Sequence, residues 1–265
     1  MSPDPKTFAA MTEISHLPQP DGYAIAYRHT PAPAPGAPAG AGQPGIIFCG
    51  GFRSDMTGTK AIALEQAALA AGRGFTRFDY FAHGATAGDF AQGSIGRWLE
   101  DTLAILDRVT QGAQILVGSS MGGWLATLAA LKRPERVAGL VLIAPALDFT
   151  EDLLLASLTP AQRAALERDG VYREPSQYSD EPYEFHWHLI AEGRKHLLLG
   201  KPLDLPCPVR ILQGMQDPDV PWQHAVRIAE CITQPDTRLT LLKDGDHRLS
   251  RPQDIALLVE TVLGL

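Results

Sequence analysis

Gln114-Ile-Leu-Val-Gly118-Ser119-Ser120-Met121-Gly122-Gly123-Trp124-Leu125 decides the fold of this 265-residue chain. Gln114 to Val117 is a short, mostly apolar run that reads as a strand, and Ser120 to Leu131 reads as a helix. Where they meet, Gly-x-Ser-x-Gly marks a turn so tight that side chains two residues before and two after the serine would collide. Gly118 and Gly122 meet that requirement for Ser120. For Ser119 the equivalent positions are Val117 and Met121, so the frame selects Ser120.

Outward from this turn, strand and helix signals alternate. Gly45–Cys49, Phe75–Tyr80, Val137–Ile143, Val209–Gln213 and Thr237–Leu242 read as strands. Helical stretches lie at Thr59–Ala71, Ile95–Val109, Trp222–Ile232 and Pro252–Leu263. The strands carry continuous apolar runs, as expected where helices cover both faces of a parallel sheet. The alternation predicts an α/β fold with a mostly parallel, doubly wound sheet. Glu13–His16 and Tyr23–Arg28 flank a Gln-Pro-Asp-Gly turn and predict an antiparallel hairpin at the sheet edge. Residues 30–45, rich in Pro and Ala, predict an exposed loop. Residues 148–200 show no clear strand, and helical stretches at 159–169 and 181–196 predict a small helical cap. The whole chain, 1–265, is expected to be a single domain with that cap inserted.

In such a sheet ligands bind beyond the carboxyl ends of the strands. A serine hydroxyl there is a weak nucleophile at neutral pH. It needs a general base, and the base needs an orienting acid. The acid is expected after a late strand. Asp217, in Gly214-Met-Gln-Asp-Pro-Asp-Val-Pro221, is the candidate, with Asp219 as rival. The base is expected after the last strand, where His247 is the one of eight histidines that fits. An oxyanion would need two N–H donors. Met121 follows the nucleophile, and Phe52 follows Gly50-Gly51 at the end of the first parallel strand. Gly50-Gly51 is no phosphate loop, because no Gly-Lys-Ser/Thr follows. His186-Trp-His188 is read as helical, with its two imidazoles on different faces, so no metal site is expected.

Apolar residues make up 45% of the chain and charged residues 20%, which argues against wholesale disorder. The net charge of −7 disfavours nucleic acid as a partner. The longest mainly apolar stretch, Val137–Leu147, contains Gly139 and Pro145, whereas a spanning helix needs about 20 apolar residues. Three widely spaced cysteines form no disulfide framework and no CxxC site. The start, Met1-Ser-Pro-Asp-Pro-Lys, is unlike a secretory signal. A cytoplasmic setting is therefore expected.

The stretches GGFRSDMTGTKA (50–61), TRFDY (76–80), QILVGSSMGGWL (114–125), RPERVAGLVLIAPA (133–146), GMQDPDVPW (214–222) and DHRLSRPQDI (246–255) resemble the α/β-hydrolases. The resemblance is to the branch of mycophenolic acid acyl-glucuronide esterase and palmitoyl-protein thioesterase. It implies an α/β-hydrolase fold and hydrolysis of acyl esters or thioesters through an acyl-enzyme, with no cofactor. Ser120, Asp217 and His247 would be catalytic. Met121 and Phe52 would form the oxyanion hole, and Gly51, Tyr183, Trp187 and Trp222 would bind substrate. The partner implied is a small-molecule or protein-linked acyl compound. A short-chain carboxylesterase is the alternative within enzymes, and a non-catalytic acyl-binding module the alternative outside them.

Overall fold

The structure, a computed structural model, describes residues 13–32, 42–174 and 183–265. Ten strands follow one another along these residues: β1 (Ser15–Pro18), β2 (Ala24–Thr30), β3 (Gly45–Cys49), β4 (Phe75–Phe78), β5 (Gln114–Ser119), β6 (Val137–Ile143), β7 (Val171–Glu174), β8 (Tyr183–His186), β9 (Val209–Gly214) and β10 (Thr237–Leu242). Eight of them form one sheet in the order β1-β2-β4-β3-β5-β6-β9-β10. β1 and β2 are the expected antiparallel hairpin, and β2 meets β4 antiparallel. Every other neighbour in the sheet pairs in parallel. The Pro/Ala-rich loop falls largely outside the described residues.

Helices cover both faces, and strand side chains alternate between them. Ile46 and Phe48 of β3 pack with Ala61, Leu64 and Ala68 of α1 (Thr59–Ala70), and with Leu258 and Val262 of the last helix, Pro252–Leu263. Ile47 and Cys49 point the other way, into the cluster that holds α2 (Ile95–Arg108) and α3 (Met121–Lys132). Full burial of each such side chain contributes roughly 1.5–3 kcal/mol, so both layers are needed. Residues 121–130 of α3 are buried all round, and this helix is therefore apolar on every side.

β6 and β9 are neighbours in the sheet, and the segment expected to be a cap runs between them. It holds a π-helical turn at Thr150–Leu155, α4 (Pro160–Asp169), β7, β8 and α5 (Trp187–Gly193). Two further helices follow it: α6 (Trp222–Cys231) and α7 (Pro252–Leu263). The expectation of an all-helical segment is corrected here, because β7 and β8 pair antiparallel with Val171 opposite His186. The helix expected over 181–196 starts only at Trp187. Four residues are too few for a period of two to separate from a period of 3.6. Consequently His186 ends a strand while His188 lies on a helix. The two ends of the segment meet: the buried Asp148 carboxylate accepts the Leu198 N–H at 2.9 Å and the Leu199 N–H at 2.7 Å.

Candidate active site

Ser120 stands between β5 and α3 with φ 55° and ψ −121°. That left-handed φ is strained for a residue bearing a Cβ, and strain of this kind gathers at functional sites. The surroundings hold it in place. The Ser120 N–H donates to the Ile143 carbonyl at the end of β6, and its carbonyl accepts the Ala146 and Gly123 N–H groups. The two glycines are required for a reason that differs from the expected one. A Cβ on Gly118 would lie 2.4 Å from the Gly122 carbonyl oxygen. A Cβ on Gly122 would lie 2.1 Å from the Cys49 carbonyl oxygen, at the end of β3. Gly122 therefore makes room for the neighbouring strand, and only Gly118 makes room within the turn itself.

His247 reaches Ser120 from the loop after β10. Its Nε2 lies 3.2 Å from the Ser120 hydroxyl, positioned to accept its proton. Its Nδ1–H donates to Asp217 Oδ2 at 2.8 Å. The Asp217 side chain is fully buried. Its Oδ1 accepts the Asp219 and Val220 N–H groups, each at 2.8 Å, and Gln213 Nε2 donates to Oδ2 at 3.0 Å. Asp217, not Asp219, is thus the carboxylate joined to His247. The acid and base loops are locked together where the Gln216 N–H donates to the Gly245 carbonyl at 2.8 Å. Gly214 permits this, since a Cβ there would come within 2.3 Å of that same carbonyl oxygen.

Asp217, Asp219 and His247 also form a group whose potential metal-ligand atoms lie within 4.8 Å of one another. Asp217 and His247 already bond directly, so this arrangement serves to orient an imidazole.

The two expected N–H donors come from different elements. Met121 opens α3, so its N–H has no acceptor within the helix. Phe52 sits in the loop after β3, next to Gly51, whose Cβ position would lie 3.4 Å from the Ser120 Cβ. That loop is braced from below by the TRFDY stretch. Arg77 donates to the Met56 carbonyl at 2.7 Å, and Asp79 accepts the Met56 N–H at 2.7 Å. Arg77 is fully buried and pairs with Glu65.

Ser120 and His247 open into a cavity of about 570 Å³. One wall is apolar, from Phe52, Phe149, Leu153, Leu154 and Phe185. Phe52 and Phe185 stack with ring centroids 5.4 Å apart. The lining also carries Arg53, Lys60 and Arg248, with Asp55 and Asp219. Burial, helped by the nearby Arg248, pushes the Lys60 ammonium down to about 8, and Lys60 donates to the Arg248 carbonyl.

Of the residues expected to bind substrate, Gly51 lines this cavity. Trp187 and Trp222 do not: the Arg194 guanidinium lies 5.2 Å from the Trp187 ring, and Trp222 opens α6. The Tyr183 side chain lies outside the described residues. The sequence offered no signal for Leu153 and Leu154. Both lie in the π-helical turn.

The alpha/beta hydrolase family's sequence profile matches residues 34–257. The chain belongs to that family. A rat protein named palmitoyl-protein thioesterase ABHD10, mitochondrial, is 39% identical over 252 residues, covering 95% of this chain and 82% of the relative. Among solved structures, a protein from Agrobacterium vitis S4 superposes with a TM-score of 0.88 at 44% identity, covering 95% of this chain and 98% of that one. Alpha/beta hydrolase domain-containing protein 10 from mouse superposes with a TM-score of 0.86 at 38% identity, covering 96% and 98%.

These relatives correct one expectation. The rat, mouse and bovine proteins are named mitochondrial, so the cytoplasmic setting is not upheld. Sparse, unpaired cysteines indicate a reducing milieu, which is not unique to the cytoplasm. Among the described residues no helix is long and apolar enough to cross a membrane.

Proposed function

We propose that this α/β-hydrolase is a serine hydrolase of acyl esters and thioesters. The observation that carries the reading is the relay from the Ser120 hydroxyl through His247 to buried Asp217, at 3.2 and 2.8 Å, opening into a cavity with one apolar wall. The names of the relatives support thioesters as a substrate class.

Ser120 Oγ attacks the acyl carbonyl carbon while His247 Nε2 takes the hydroxyl proton. Asp217 keeps the imidazole in the tautomer whose Nε2 is free to accept, and it stabilises the imidazolium that forms. The carbonyl oxygen gains the negative charge, and the Met121 and Phe52 N–H groups receive it. As the intermediate collapses, His247 gives its proton to the departing alkoxide or thiolate. It then takes a proton from water, whose oxygen attacks the acyl-serine, and returns that proton to Ser120 Oγ as the Oγ–acyl bond breaks and the acid is released. The apolar lining residues shelter the acyl chain.

Ser120→Ala is expected to lower kcat by about 10⁴–10⁶-fold on a thioester substrate. A fluorophosphonate should label wild type at Ser120 and spare His247→Ala. Near-normal turnover by Ser120→Ala, or equal labelling of both proteins, would overturn these assignments.

A further inference from the structure

The turn that offers the Phe52 N–H is held from outside the site. The Ser54 N–H and hydroxyl both donate to the Gly51 carbonyl, at 3.2 and 2.8 Å, closing a four-residue turn. Its third residue, Arg53, has φ 54°. A turn with that angle at its third position ordinarily places glycine or asparagine there. For arginine the relaxed alternative is a negative φ, which would shift the loop that carries Phe52 beside Ser120. Some contact must oppose that rearrangement.

His83 supplies it. The imidazole is buried, 3% exposed, with its ring against Trp98 at 5.2 Å and Tyr80 at 5.5 Å. Its Nδ1–H donates to the Phe81 carbonyl at 3.0 Å, which fixes the tautomer and leaves the Nε2 lone pair as an acceptor. The Arg53 N–H donates to that lone pair at 3.1 Å. Burial pushes the imidazole down to about 4, and the adjacent Arg53 charge acts the same way. The neutral ring, the form that can accept at Nε2, therefore persists at neutral pH.

We propose that His83 is a positioning residue of the oxyanion turn: by accepting the Arg53 N–H it anchors the strained Gly51–Ser54 turn, and so keeps the loop that carries the Phe52 N–H in place beside Met121. The role rests on the reading of Ser120 as nucleophile with Phe52 as an oxyanion donor. His83 touches no substrate, and its effect passes through the backbone.

The test compares His83→Phe, which fills the aromatic packing but removes the acceptor, with His83→Gln, whose amide oxygen reaches the Nε2 position. For His83→Phe we expect kcat to fall about 10–100-fold, less than removal of a whole oxyanion donor, with KM within about threefold. His83→Gln should restore kcat to within about threefold of wild type. Melting temperatures taken alongside identify any variant that has lost its fold. Should the Phe variant do so, His83→Asn keeps the bond to Phe81, stops short of Arg53, and should show the same fall in kcat. Unchanged kcat in the variant lacking the acceptor, or equal losses with and without it, overturns the role. Ser120→Ala assayed in parallel separates the two layers. Activity surviving there defeats the site assignment itself, whereas its loss there with normal kcat in His83→Phe defeats only the positioning role.

Discussion

Gly122 and Gly51 flank Ser120, and the space around each sets what it tolerates. A methyl group on Gly122 would be driven into the Cys49 and Gly50 carbonyl oxygens, backbone atoms at the end of β3 that cannot swing aside. Gly122→Ala is expected to cost about 3 kcal/mol or more, read as a fallen urea midpoint or loss of soluble protein. On Gly51 the same methyl would make an ordinary contact with Ser120. Gly51→Ala should keep the melting temperature and lower kcat/KM.

The two neighbouring aspartates separate in the same way. Asp217→Asn leaves shape intact but disturbs the tautomer of His247, and should lower kcat by about 10³–10⁴-fold. Asp219→Asn should change kcat by well under tenfold. His83 adds a pH signature. Its pKa is depressed in the fold, so its stabilising contribution is whole above the ordinary value near 6.5. That contribution is lost as pH falls from there to about 4. The loss is on the order of 3 kcal/mol. Urea midpoints of wild type should fall more steeply across that window than those of His83→Gln.

Among the elements, the ends of the segment between β6 and β9 are tied by one side chain. Asp148, itself at φ 55°, accepts two backbone N–H groups from the far end of the segment. Asp148→Ala orphans both and is expected to cost about 1–3 kcal/mol. Hydrogen exchange at Leu198 and Leu199 should quicken, and KM should rise because Phe149, Leu153 and Leu154 lose their footing. This segment is also where the sequence was hardest to read. The turns around Ser120, Asp217 and His247 each follow a strand of six residues, and local chemistry marks each one. β7 and β8 are four residues each and carry no such mark. His83 and Asp79 were illegible for another reason. Each is a buried polar residue whose partner lies on a different loop, and one-dimensional spacing holds no trace of that partner. Gly214 was quoted as part of a motif, yet its necessity comes from Gly245, on the adjoining loop.

At the scale of the whole molecule, both faces of the sheet contribute to the site. α1 and α7 close one face and α2, α3 and the 148–200 segment cover the other, while the cavity takes Lys60 and Ala61 from the first and Phe149, Leu153 and Leu154 from the second. Substitutions at Leu258 and Val262, in the first layer but away from the cavity, should alter stability with little change in substrate preference. Leu154→Trp, on the apolar wall, should do the reverse. Its kcat/KM for long-chain thioesters is expected to fall about tenfold or more relative to two- to four-carbon esters, measured across a chain-length series. An equal loss at every length would place the acyl chain elsewhere.

The tether at Asp148 has a consequence for how such proteins diversify. A stretch of chain that leaves and returns at neighbouring points can be exchanged as a block, because the strands on either side need not move. Recombination at those two points would hand a new substrate range to an unchanged set of reacting groups. A chimera that takes this block from a relative, joined after Asp148 and before Leu199, should fold around the same Ser120 and His247 while adopting the donor's preference.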